Sequence, residues 1–270
     1  MREITDDNEL RTIIYNILKS VTDFCEQNHL KYYLTFGTLL GAVRHNGFIP
    51  WDDDVDIMMP RDDYEHFLRL YKSTQYKVVD LDNDIEYFYP YAKVYDISTK
   101  VDEQLSIKTN IGVYIDVFPL DNAPNGRFAK LKQYYLFFLQ KVMKHKFAPI
   151  NRPRSSWKKV FLPFTKMLVK IVSIKKLGNK INGISKRFNA HNTNYVGIFT
   201  WGYYNKLYPV EYLEPFVRIK FQEASFRCPK NFDGVLRKLY GDYMQLPPEN
   251  QRVCKHGFRA YINENAKENK

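Results

Sequence analysis

The chain has 270 residues, 44% hydrophobic and 16% aromatic, which is long enough and apolar enough for a real core and excludes a disordered polypeptide. Its three cysteines, Cys25, Cys228 and Cys254, form no C-x-x-C pair, which argues against a disulfide framework or a structural zinc site and for a reducing, cytoplasmic setting. The net charge of +11 is unevenly spread: Asn122 to Val210 holds 18 Lys and Arg and no Asp or Glu, so a charged partner is expected there.

Met1–Asp7 carries acids and no apolar run, so it does not read as a signal peptide. No stretch of 18 apolar residues occurs either, so a spanning helix is not expected. Leu10, Ile13, Ile14, Ile17, Leu18, Val21 and Phe24 recur at helical spacing and predict an amphipathic helix over 8–29. Lys31–Phe36 predicts a strand that meets Gly37-Thr38, where a short helix begins. After a Gly47/Pro50 turn, Asp54–Met59 predicts a second strand, and Pro60 opens a helix through about Tyr71. Further strands are predicted at 76–81, 90–97 and 112–118. The basic region, about 127–190, reads as helical, with a second helix over Trp157–Ile174. Phe232–Tyr240 predicts a late helix and Leu246-Pro247-Pro248 an exit loop.

The segment Phe36–Ile57 concentrates the chemistry. Asp52, Asp53, Asp54 and Asp56 place four carboxylates in five residues, and such crowding is rarely stable without a cation. Oxygen donors suit Mg²⁺ or Mn²⁺ better than zinc. Alternate strand residues share a face, so Asp52, Asp54 and Asp56 would point one way if the strand starts early enough, with Asp54 and Asp56 about 7 Å apart at the backbone. Asp116 is a lone acid in an apolar strand, costly unless paired, and completes a three-carboxylate metal site if that strand neighbours the first. A solvated acidic face or a Ca²⁺ loop is the bland alternative; the apolar flanks of Asp54 and Asp56 favour a site. Gly37-Thr38 lets backbone N–H groups approach a phosphate at a helix start. Arg44 can clamp a phosphate and His45 can move a proton, although a pair of cations at a helix C-terminus is also a simple cap. The runs Tyr87–Tyr91 and Trp201–Tyr204 could cage a quaternary ammonium, but such runs are more often plain core.

The run Gly37-Thr38-Leu39-Leu40-Gly41-Ala42-Val43-Arg44-His45-Asn46-Gly47-Phe48-Ile49-Pro50-Trp51-Asp52-Asp53-Asp54-Val55-Asp56-Ile57 strongly resembles the signature of the LicD family of phosphotransferases, which includes the fukutin-related proteins. The likeness is dense over about 30–65, continues through Ile115–Asp121, and returns at Leu239–Met244, Leu246-Pro247-Pro248 and His256. The basic middle third carries no motif match and reads as an insertion. The resemblance implies an α+β, nucleotidyltransferase-like fold: a small mixed sheet flanked by helices, with a basic helical insertion. The expected organisation is a catalytic core over 1–121, the insertion over 122–209, and a segment over 210–270 that completes core and substrate site. By the resemblance Gly37 and Thr38 hold the donor phosphates, and Asp54 and Asp56 bind Mg²⁺ (or Mn²⁺). Asp116 is then the third ligand or helps deprotonate the acceptor, with His45 the other candidate base. Arg44 offsets phosphate charge. Gly41, Trp51, Asp53, Tyr240 and His256 are expected at the substrate, with Asp52 and Asp53 behind the metal or on it.

The implied reaction moves phosphocholine, or a related phospho-alcohol, from CDP-choline or another CDP-alcohol to a hydroxyl of a lipid-linked cell-surface glycan such as a teichoic acid or lipopolysaccharide precursor, releasing CMP. The basic amphipathic middle is expected to meet an anionic membrane surface, which makes the protein cytoplasmic and peripheral on the inner face of the plasma membrane. Nucleic acid is the disfavoured partner, because the segment is rich in Phe, Leu and Ile and carries no RNA-binding motif. Two rival functions are an NTP-dependent nucleotidyltransferase acting on a small molecule, protein or RNA, and a non-catalytic membrane-surface glycan-binding protein.

Overall fold

The computed structural model describes residues 1–103, 109–147, 173–202, 206–253 and 258–263. In chain order the elements are β1 (Arg2–Ile4), α1 (Asp7–Gln27), β2 (Tyr33–Leu34), α2 (Phe36–His45), β3 (Asp56–Pro60), α3 (Arg61–Leu70), β4 (Tyr76–Val79), β5 (Ala92–Asp96), β6 (Thr99–Asp102) and β7 (Tyr114–Asn122). They continue with α4 (Ala129–Phe147), α5 (Ile174–Arg187), β8 (Tyr195–Gly197), β9 (Tyr208–Pro209), β10 (Val217–Phe221), β11 (Ala224–Cys228), α6 (Phe232–Tyr240) and β12 (Arg259–Ile262). The class is α+β, as the sequence predicts.

The central sheet runs β2-β3-β7-β5-β4, with β8 and β9 continuing from the far end of β7. Only β3 and β7 pair in parallel; the other pairs are antiparallel. Five residues of β3, Asp-Ile-Met-Met-Pro, are nearly all buried, as expected of a strand covered on both faces. One cover is α1, whose Asp6 N-cap accepts the Asn8 N–H at 2.9 Å and whose apolar stripe of Ile14, Ile17, Leu18 and Val21 is fully buried against β5 and β7. Another is α2, which packs against β3, β10 and α6.

The acid-free stretch docks on this sheet through polar as well as apolar contacts. Arg61 at the start of α3 donates to both oxygens of Asp121 at the end of β7, each at 2.7 Å. Asn182 of α5 accepts from Arg61 at 3.0 Å and Asn189 donates to Asp121 at 2.5 Å. Gly178 lets α5 lie against the backbone of Phe88, because a Cβ there would come within 2.4 Å of the Phe88 carbonyl oxygen. Leu136, Leu139 and Met143 of α4, with Leu177 and Ile181 of α5, join the common core.

Two expectations need correction. The second strand begins at Asp56 and not at Asp54, so Asp52 and Asp54 do not share a strand face with Asp56; the reason is that residues 46–54 run back along α2 as a loop. The first strand shrinks to Tyr33–Leu34, because the chain turns directly into α2. The helix predicted over 157–174 lies outside the described residues up to Ile174, which opens α5.

Candidate active site

Strand register assembles the centre of the site. Asp56 at the start of β3 stands directly opposite Asp116 on β7, and Asp116 stands opposite Lys93 on β5. Residues opposite one another share a face, so three charged side chains from three adjacent strands lie in one row. Lys93 Nζ donates to Asp116 Oδ1 at 2.6 Å, with the lysine side chain 2% and the aspartate side chain 16% exposed. Asp116 is thus the costly acid expected here and Lys93 pairs with it; β7 runs on past the predicted strand and carries a second acid, Asp121. Sequence reading missed Lys93, since nothing local in Ala-Lys-Val-Tyr-Asp marks a lysine that points inward.

The remaining acids reach this row from the loop before β3. A Cβ on Gly37 would fall 2.5 Å from Asp52 Oδ2 and 3.8 Å from Asp54 Oδ1. Only glycine therefore allows the first turn of α2 to pass so close to both carboxylates. Phe36 just before it takes a positive φ of 45°, a conformation disfavoured for a bulky residue and held here at a functional turn. Thr38 Oγ1 accepts the Asp56 backbone N–H at 2.8 Å, which locks α2 to the first residue of β3. Arg11 of α1 holds the loop from the other side, donating to the carbonyls of Pro50 at 2.7 Å and Asp52 at 3.3 Å. This clasp is also invisible in sequence.

Burial pushes the Asp56 carboxyl well above the usual carboxylate range, and Asp54, Asp116 and Asp52 push it the same way, with Lys93 opposing them. One lysine against four acids leaves an excess of negative charge in a poorly solvated place. The donors are all oxygen, so charge and donor type fit a hard divalent cation such as Mg²⁺. No trio of acids, cysteines or histidines among the described residues is already drawn into ligating geometry.

The other end of α2 carries Arg44 and His45. Arg44 Nε donates to His45 Nε2 at 2.9 Å and its Nη1 donates to the Tyr243 carbonyl at 2.9 Å. Burial, then the charge of Arg44, lowers the His45 pKa, so the ring is neutral with Nε2 already engaged. The His45 ring meets Trp51 edge-on at 6.2 Å. Tyr240, at the end of α6 and 45% exposed overall, lies within electrostatic reach of the acids: desolvation raises its phenol pKa, and so do Asp56, Asp52 and Asp54. Gly41 is brought to the return loop and not to the acids, since a Cβ there would lie 2.4 Å from the Gly47 carbonyl oxygen. Asp53 is half-buried in the same loop. His256 lies outside the described residues.

The two aromatic runs meet. Tyr89 and Tyr91 lie 5.9 and 5.5 Å from Trp201, and Tyr87 donates to the Tyr91 carbonyl at 2.9 Å. The cations over these rings are the chain's own: Lys93 Nζ stands 4.9 Å from the Tyr89 centroid and 5.6 Å from that of Tyr91, and Lys144 Nζ stands 4.1 Å from the Trp201 ring. Tyr203 and Tyr204 lie outside the described residues.

A mixed sheet, a Gly-Thr turn opening a helix and acids in register on adjacent strands define an α+β class of protein. The family model for the LicD/FKTN/FKRP nucleotidyltransferase domain matches residues 29–152. Across 94% of this chain and 97% of the relative, it is 29% identical to the lipopolysaccharide cholinephosphotransferase LicD of Haemophilus influenzae. It is also similar to uncharacterized proteins of Rickettsia prowazekii (29% identical over 51% of this chain and 48% of that one) and Rickettsia typhi (40% over 24% and 22%).

Proposed function

We propose that this protein transfers phosphocholine, or a related phosphorylated alcohol, from a CDP-activated donor to a hydroxyl of a lipid-linked cell-surface glycan, such as a lipopolysaccharide or teichoic acid precursor, releasing CMP. The observation that carries the reading is Asp56 in register with Asp116, beside a Gly37-Thr38 turn that admits two more carboxylates. The likeness to a cholinephosphotransferase along nearly the whole chain supports it.

Asp54, Asp56 and Asp116 would hold Mg²⁺ or Mn²⁺, which would supply positive charge to offset that of the donor phosphates. The first turn of α2, with Gly37 and Thr38, presents backbone N–H groups to the donor phosphates. Lys93 holds the Asp116 carboxylate through Oδ1, and that carboxylate would take the acceptor proton. The acceptor oxygen then bonds to phosphorus as the bond from phosphorus to the CMP oxygen breaks, and the negative charge leaves on CMP. His45 is less suited as the base, because its Nε2 is occupied by Arg44.

The acceptor's lipid anchor gives a use for the acid-free middle. Phe128, just before α4, and Leu131, Tyr134, Tyr135 and Phe138 on it are between 41% and 64% exposed, and Lys130, Lys132 and Lys141 are exposed beside them. Such a face fits an anionic bilayer surface, so the protein works as a peripheral enzyme on the cytoplasmic leaflet. No helix among the described residues is long and apolar enough to cross a membrane.

The test is turnover of purified protein with Mg²⁺, membrane extract as acceptor, and CDP-choline, CDP-glycerol, CDP-ribitol or an NTP as donor. CMP release with one CDP-alcohol is the expected result. Pyrophosphate release from an NTP would establish a nucleotidyltransferase instead, and no turnover with any donor would leave a binding protein.

A further inference from the structure

Arg252 meets Trp51 directly, and Arg44 meets it through the His45 ring. The Arg252 guanidinium lies over the Trp51 ring, 5.7 Å from its centroid, and its Nε donates to the Pro247 carbonyl at 2.8 Å. The His45 ring stands edge-on to the same tryptophan, and Arg44 donates to that ring and to the Tyr243 carbonyl. Both arginines are half-buried, and among the described residues their hydrogen bonds go to neutral carbonyls and an imidazole. Burial lowers the Arg44 pKa, and the charge of Arg252 lowers it too, against Tyr240, so the two cations are near enough to repel.

Two guanidiniums held close, partly desolvated and lacking a carboxylate, are stabilised by an anion that joins them. Their planar forks match a phosphate better than a monovalent ion, because each can donate two parallel N–H groups. Trp51 places the pair beside the acids: it directly precedes Asp52, whose Oδ2 lies against Gly37 at the start of α2. A helix-end cap explains Arg44 alone, but not a second arginine arriving from the C-terminal segment, outside residues 29–152.

We propose that Arg44 and Arg252, backed by Trp51, form a phosphate subsite next to the acid cluster. Whether the phosphate belongs to the nucleotide or to the acceptor glycan rests on the transfer reading; the subsite itself does not.

Isothermal titration in EDTA tests it, with CMP and a hexose phosphate as separate probes. Wild-type protein is expected to bind at least one of them. Arg252→Gln should weaken that binding about ten- to a hundredfold, the loss of charge-assisted bonds to one anion, with an unchanged thermal midpoint, and Arg252→Lys should recover part of it. Loss confined to CMP assigns the subsite to the donor, and loss confined to the hexose phosphate assigns it to the acceptor. Wild-type protein that binds neither probe, or Arg252→Gln that binds both as wild type does, would overturn the proposal. Because the titration needs no turnover, it stands apart from the transferase assay: binding without catalysis refutes the reaction and keeps the subsite.

Discussion

Replacing Lys93 by methionine keeps the side chain's length and removes its charge. The lysine is 2% exposed and bonded to Asp116 at 2.6 Å, so the change strands a carboxylate beside three other acids. Removing one partner of a buried pair costs about 3–5 kcal/mol; Asp116 retains 16% exposure, which places the expected loss near the lower end, about 3 kcal/mol. At roughly 2–4 °C per kcal/mol for a chain of this size, the midpoint in EDTA should fall by about 6–12 °C. A double-mutant cycle with Asp116→Asn isolates the pair, because Lys93→Met/Asp116→Asn buries no unpaired charge and should recover much of the loss. Mg²⁺ should restore Lys93→Met more than wild type, since a cation near Asp116 replaces the missing one. Calorimetry and urea unfolding read all of this. A loss below about 1 kcal/mol, or singles that simply add, would refute the argument that the row is held together by opposite charge.

Further outcomes follow from the same geometry. The folded Asp56 carboxyl has a raised pKa, so the folded state holds that proton more tightly and metal-free stability should decline as pH rises above the ordinary carboxylate range; Asp56→Asn should flatten this decline in a pH series of EDTA melts while abolishing turnover. Gly37→Ala, with its Cβ 2.5 Å from Asp52 Oδ2, should remove activity at little cost in midpoint, whereas Gly41→Ala, set 2.4 Å from a backbone carbonyl, should cost about 1–3 kcal/mol in urea unfolding. Arg61→Met should destabilise by about 3–5 kcal/mol, because Asp121 is fully buried and bonded through both oxygens; denaturant titration showing a smaller loss counts against that pair. Changing Lys130, Lys132 and Lys141 to Gln should weaken sedimentation with phosphatidylserine vesicles about a hundredfold, at about 1 kcal/mol per charge, and unchanged binding would exclude α4 as the docking face.

The sequence made the local units legible and left their meetings hidden. The stripe of α1, the Gly37-Thr38 turn, α3 after Pro60 and α6 over Phe232–Tyr240 each follow from a periodicity or a breaker that acts within a few residues. The acids of the site were visible because crowded carboxylates are costly, and Asp116 because a lone acid in an apolar strand needs a partner. That partner was not visible: Lys93 becomes informative only when β5 pairs with β7 in one register. The shared strand face proposed for Asp52, Asp54 and Asp56 failed for a related reason, since Arg11 and the first turn of α2 hold residues 49–54 as a loop. Arg61, Asp121, Asn182 and Asn189 likewise sit far apart in the chain and form one buried network.

The central claim is transfer of a phospho-alcohol from a CDP donor. Its most direct measurement is phosphorus NMR of purified protein with CDP-choline, Mg²⁺ and a lipid-linked glycan fraction, run beside Asp56→Asn. The account predicts conversion of the donor's pyrophosphate signals to CMP and a new phosphodiester carried by the glycan, absent with Asp56→Asn. CMP appearing equally with both proteins, or an unchanged donor alongside turnover of an NTP, would contradict it.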